Sequence, residues 1–148
     1  MANHIRQQIR ERVATDLTGL STTGSNVFQS RVYPLSNASL PGLLIYTKEE
    51  ESEYVTIGDT RLVQSMLSLQ IEAYCQGIAN FDDTIDTICK EIQVALANDR
   101  FLNDLAKNCL LTTTDIQFDA TGEKPIGYAS IIYMIEYLFD ENAPDVAK

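Results

Sequence analysis

The segment Leu62–Tyr74 alternates between apolar and polar side chains. Leu67, Leu69, Ile71 and Ala73 fall on one side, and Ser68, Gln70, Glu72 and Tyr74 on the other. A period of two predicts a half-buried strand. Such a strand needs cover on one face, and two other stretches can supply it. Ile5, Ile9, Val13 and Leu17 recur every four residues, with Arg6, Gln7, Arg10 and Glu11 on the opposite side. Phe81, Ile85, Ile88, Ile92 and Leu96 follow helical spacing as well. Each pattern places one apolar stripe on a helix.

Local signals bound these elements. Gly19 is a plausible stop for the first helix, and residues 18–26 read as a polar loop. Asn80 can cap the second helix, and Asp82, Asp83 and Asp86 lie where the helix dipole favours negative charge. Asn98-Asp99 ends it, and Phe101–Ala106 reads as a short further helix. Val27–Tyr33 is a strand ended by Pro34. Leu43–Tyr46 is apolar on both faces, as in a strand covered on both sides. Lys48–Glu53 reads as an acidic, solvated hairpin loop. Tyr54–Ile57 is another extended piece before the turn signal Gly58-Asp59. The last third predicts a hairpin: Leu110–Phe118, a turn over Asp119–Pro125, and Gly127–Phe139 inside the sheet. Residues 142–148 and 1–3 are expected to fray.

The order helix, strands, helix, hairpin indicates α+β: a mixed, mostly antiparallel sheet of about five strands carrying two main helices. A length of 148 residues fits a single domain over 1–148.

Charge narrows the partners. There are 21 acidic residues against 11 basic ones, a net charge of −10. That sign repels phosphate backbones and argues against nucleic-acid binding as the main role. Arg6, Arg10 and Arg12 gather near the start, but Glu11 and Asp16 dilute the patch, which reads as a solvated helix face. The sequence predicts no secretory signal and no membrane span. Its longest uninterrupted apolar run, Ile131–Ile135, is far short of the roughly 20 residues a spanning helix needs.

Residues suited to chemistry are sparse. His4 is the single histidine and has no partner histidine for a metal. Cys75, Cys89 and Cys109 are odd in number and lack CxxC spacing, so they predict buried thiols and not a disulfide framework or zinc site. Asp82, Asp83 and Asp86 lack the glycine and closing glutamate of a calcium loop. Asp115 and Asp119 read as edge-strand solubility residues, and Gly122-Glu123-Lys124 does not make a phosphate loop. The expectation is a protein with no catalytic residues, no cofactor and no metal. The acidic run Glu49, Glu50, Glu51 and Glu53 is the sharpest charge feature, read either as solvated or as an electrostatic contact or pore-lining surface. Arg31, Arg61 and Arg100 are its candidate partners on a neighbouring subunit.

Three strings carry a family resemblance: HIRQQIRERVATDL leading to VFQSRVYPL; LPGLLIYTKEEESEY; and LSLQIEAY followed by FDDTIDTICKEIQVAL. Across residues 3–140 the chain resembles the tail terminator proteins of long-tailed bacteriophages, the phage lambda U-like group. The resemblance implies a homo-oligomeric ring, usually six subunits, that caps the tail tube, stops its polymerisation and presents a joining surface to the head-side connector. The implied partners are other copies of the chain, the tail tube protein and the connector protein. The resemblance also implies that genomic DNA passes through the channel without specific binding and that there is no membrane partner. The implied location is the head-proximal end of the tail in the virion, after synthesis in the bacterial host cytoplasm. Another neck, tail-completion or tube component is the alternative in the same class. A small ligand-binding α+β domain is the alternative from another class.

Overall fold

A computed structural model describes residues 2–29, 41–76, 81–119 and 126–148. Helix α1 spans Ile5–Leu17, and its apolar stripe is fully inside: Ile5, Ile9, Val13 and Leu17 are buried. His4 caps it, its Nδ1 accepting from the Arg6 backbone N–H at 3.0 Å. The chain leaves the helix through Thr18 and Gly19, whose φ of +92° suits a residue without a Cβ. The loop that follows is tied to the second helix, because Thr22 donates its backbone N–H and its hydroxyl to Glu91.

Among the described residues, five strands form one mixed sheet in the order β1-β2-β3-β5-β4. Strand β1 is Val27–Phe28, β2 is Gly42–Tyr54 and β3 is Leu62–Gln76. Helix α2, Phe81–Asn98, precedes β4, Asn108–Asp119, and β5, Ile126–Asp140. Only β1 runs parallel to its neighbour, pairing Val27 with Leu43. The other pairings are antiparallel, and strands dominate this α+β fold. Both helices lie on one face. Leu67, Leu69, Ile71 and Ala73 of β3 meet Ile85, Ile88 and Ile92 of α2 and the α1 stripe in a single core. The opposite sheet face carries no helix among the described residues.

Three sequence expectations change. The Lys48–Glu53 run is not a hairpin loop but the second half of β2, which continues to Tyr54. A bulge between Thr47 and Glu49 shifts the register there, and Glu49 through Tyr54 then pair with Ser68 through Val63. Pairing to the strongly patterned β3 holds this charged segment extended, since alternate side chains still reach water. The turn lies further on, at residues 55–61, so Tyr54–Ile57 is not a separate strand. Finally, Phe101–Ala106 is a set of turns, not a helix. Leu102, Asn103 and Asp104 all have positive φ, at 49°, 56° and 65°. Left-handed backbone of this kind is unfavourable for non-glycine residues. Here it buries Leu102 and Ala106 and lets Asn103 donate its N–H to Asp99 at 3.2 Å.

The expected strand Val27–Tyr33 is seen as β1 at Val27–Phe28, and its remainder, like Asn80 and most of the Asp119–Pro125 turn, lies outside the described residues. Strand β5 does sit inside the sheet, between β3 and β4. Its Ala129–Tyr137 face is buried and its Tyr128–Leu138 face is half-buried, as the helices among the described residues cover only one side. Residues 142–148 carry backbone contacts: Ile5 donates to the Pro144 carbonyl at 2.9 Å and Lys148 to that of Leu138 at 2.9 Å.

Candidate assembly surface

Strand alternation sorts the acidic run into two environments. Glu50 pairs with Leu67 and therefore points to the helix side. There its carboxylate accepts from the Arg6 guanidinium of α1 and from the Tyr137 hydroxyl of β5. The Glu50 side chain is 11% exposed and Tyr137 is fully buried. Glu50 is thus a brace inside the subunit, linking α1 to both β2 and β5.

Glu49, Glu51 and Glu53 pair with Ser68, Met66 and Gln64, and so project from the helix-free face. Glu72, Glu136 and Asp115 join them through the registers of β3, β5 and β4. Glu72 is a hub: it accepts from the hydroxyls of Tyr46 and Tyr74, and from Gln70 Nε2 at 3.2 Å. Gln70 also donates to Ser130 Oγ at 2.7 Å, Gln64 to Glu136 at 2.8 Å, and Tyr128 to Gln117 at 2.8 Å. The Tyr74 and Tyr128 rings stack at 5.2 Å. Burial, and then the hydrogen bond and charge of Glu72, push the Tyr74 hydroxyl well above the usual phenol range. The resulting surface is a shallow trough of carboxylates and neutral polar groups, with Lys48 as the cation on its wall.

The candidate arginines fall in different places. Arg61 closes the β2–β3 hairpin, bonding Glu141 at 3.0 Å and lying 4.1 Å from the Tyr54 ring centre. Arg100 follows α2 at the other side of the sheet, stacked 4.7 Å from Phe101, and has no carboxylate partner among the described residues. Arg31 lies outside the described residues. The structure therefore brings Glu49, Glu51 and Glu53 together on one face and separates them from Arg100.

The N-terminal arginines are engaged within the chain. Arg6 is bound to Glu50, Arg12 holds Asp99 at 2.7 Å and Asp16 at 3.5 Å, and Arg10 reaches Gln29 at 3.4 Å. Burial and the neighbouring Asp99 raise the Asp16 carboxyl to about 7 against the pull of Arg12. Cys75, Cys89 and Cys109 are free thiols, and burial pushes all three upward, Cys109 to about 11. His4 is occupied as a helix cap, and burial lowers its pKa. Asp82 and Asp83 occupy the first turn of α2. Among the described residues no group of three or more His, Cys, Asp or Glu is arranged to hold a metal, and no helix is long and apolar enough to cross a membrane.

Two apolar features were not legible in the sequence. The hairpin tip exposes Tyr54, Val55 and Ile57, the last at 102%. The outer strand β4 exposes Leu110, Leu111, Ile116 and Phe118. Monomeric proteins rarely display apolar groups in such runs without a partner.

The phage minor tail protein U family matches residues 4–137. The chain belongs to that family. It is accordingly a structural protein of the phage tail, which accounts for exposed apolar edges on a chain with few groups suited to chemistry. Among solved structures, a chain from the "Virion of native gene transfer agent (GTA) particle" is similar at 12% identity, over 90% of this chain and 92% of that one, with a TM-score of 0.36. That likeness is distant in sequence and in shape. No curated protein matches.

Proposed function

We propose that this tail protein closes into a homo-oligomeric ring, a hexamer, that caps the tail tube, stops its polymerisation and offers the joining surface for the head-side connector. It acts in the virion at the head-proximal end of the tail, after synthesis in the host cytoplasm, and carries out no catalysis. Family membership over residues 4–137 is the observation that carries this reading. The charge distribution supports it. The helix-free sheet face gathers Glu49, Glu51, Glu53, Glu72, Asp115 and Glu136, and suits the wall of the central channel. Genomic DNA must pass such a channel without being held, and carboxylates do not grip phosphates as arginines would. Six copies of a chain at −10 hold about 60 net negative charges, and salt limits their reach to about 8–10 Å, so the effect is local to the wall. Closure follows if each subunit offers one surface to the next, head to tail, and the rotation returns to its start.

Native mass measurement and images of capped tails test the proposal. The expected result is a closed ring with the symmetry of the tube. A cap of different symmetry, filaments of this chain alone, or a channel lined by Arg6, Arg10 and Arg12 would refute it. The acidic face is tested by Glu49→Gln, Glu51→Gln and Glu53→Gln together, leaving the internal brace Glu50 intact. That variant should fold normally yet yield tails of altered length or fewer infectious particles. Normal tails and normal titre would remove the acidic face from the account.

A further inference from the structure

The hairpin tip and the groove between α2 and β4 are complementary in chemistry, one exposing apolar side chains beside a carboxylate and the other lined by apolar side chains and an arginine. The tip, residues 55–61, presents Val55 and the fully exposed Ile57 beyond the end of the sheet. It is reached through the strand segment bearing Glu51 and Glu53, and Asp59 lies in the turn. The groove has a volume of about 290 Å³ and is lined by Leu96, Ala97, Cys109, Leu111 and Tyr133, with Arg100 as the charged lining residue among the described residues. Within one chain the two cannot meet. Leu62 at the base of the tip pairs with Asp140, whereas Tyr133 in the groove pairs with Leu69. That offset is about 23 Å along the strands at 3.3 Å per residue, and the tip points away from it.

We propose that Val55 and Ile57 of one subunit insert into the α2–β4 groove of a second copy of this chain, with Arg100 of the receiving copy meeting Asp59 in the turn of the donor. The occupant is a second copy because its tip supplies both things the groove lacks, an apolar plug and a carboxylate for Arg100. Arg61 cannot play that part, being bonded to Glu141 within its own chain. Knob and hole lie on different parts of the subunit, so the contact is head to tail. Repeated around an axis it closes a ring, and unclosed it makes a filament. The contact names the lateral interface of the proposed ring and rests on that reading.

Cross-linking tests it, because the groove already holds a thiol. In an Ile57→Cys variant, oxidation with diamide should join the introduced thiol to Cys109 of the neighbour, since Cys75 and Cys89 are buried in the core. Burial raises the Cys109 thiol to about 11, so a second arm combines Ile57→Cys with Leu111→Cys and Cys109→Ser. Leu111 is exposed in the same groove, and this pair is bridged with a short bis-maleimide. The expected product is a ladder of species on a denaturing gel, ending at the ring size given by native mass measurement. Ile57→Asp should weaken ring formation about tenfold or more. A ring by native mass with no cross-link in either arm overturns this contact and leaves the ring reading standing. A product that stops at the dimer overturns the head-to-tail geometry. A ladder in the first arm that survives Cys109→Ser also overturns it. Failure to form a ring even on tube tips, with unmodified protein, defeats the ring reading itself.

Discussion

Removing the hydroxyl of Tyr137 probes the internal brace. Tyr137 is fully buried in β5 and donates to Glu50, whose other described partner is Arg6. Tyr137→Phe keeps the ring and its packing and deletes only the donor. A hydrogen bond to a charged group contributes about 1.5–3 kcal/mol, and its loss also leaves a mostly buried carboxylate with one partner fewer. In a domain of this size about 1 kcal/mol shifts the midpoint by about 2–4 °C, so a fall of about 3–12 °C is expected. Arg6 behaves differently. Its side chain is 45% exposed, so solvent screens the pair and Arg6→Ala should cost only about 0–1 kcal/mol. Glu50→Gln retains an acceptor oxygen for the tyrosine and should fall between the two. Urea unfolding followed by circular dichroism gives each value, and the Tyr137→Phe and Glu50→Gln double-mutant cycle should show a coupling of about 0.5–3 kcal/mol. An unchanged midpoint for Tyr137→Phe, or an Arg6→Ala loss as large as that of Tyr137→Phe, would refute the assignment of Glu50 as a buried brace.

Ile88→Ala, at a position with no exposed surface, should lower stability by about 2–5 kcal/mol, and wild-type thermal unfolding would count against its place in the core. Gly127→Ala should cost about 1–3 kcal/mol, because a Cβ there would lie 2.0 Å from the Phe81 ring; a neutral result would mean that the ring swings aside freely. Asp16 binds its proton more tightly folded than unfolded, so its contribution is full below the ordinary carboxyl range near about 4 and is lost as pH rises through about 7. Asp16→Asn should therefore stabilise the protein more at pH 8 than at pH 5; an equal effect at both values in urea titrations would discard the raised Asp16 carboxyl.

The strongest periodic patterns were enough to foresee the framework. The four-residue spacing of Ile5, Ile9, Val13 and Leu17 and the alternation of Leu62–Tyr74 each bury one face by geometry alone, whatever their neighbours do. The same alternation already placed Gln70, Glu72 and Tyr74 on the face away from the helices. In the sequence itself net charge argued against nucleic-acid binding, and the scarcity of histidine and patterned cysteine argued for an assembly part. Tertiary structure decided the rest. The KEEESEY segment has no apolar alternation of its own and became strand because β3 offered a paired edge, and a single bulge at Lys48 then chose which glutamates face inward. That is why Glu50 became a brace while Glu49, Glu51 and Glu53 stayed on the surface. Phe101–Ala106 had helical composition, but burying Leu102 and Ala106 against the core outweighed local preference and forced left-handed turns. The edge position of β4 was legible in Asp115 and Asp119, but a linear string could not reveal that Leu110, Leu111, Ile116 and Phe118 would stay exposed there, or that Ile57 would sit at a tip. Exposure depends on which strands end up beside which, and strand order is a property of the folded sheet.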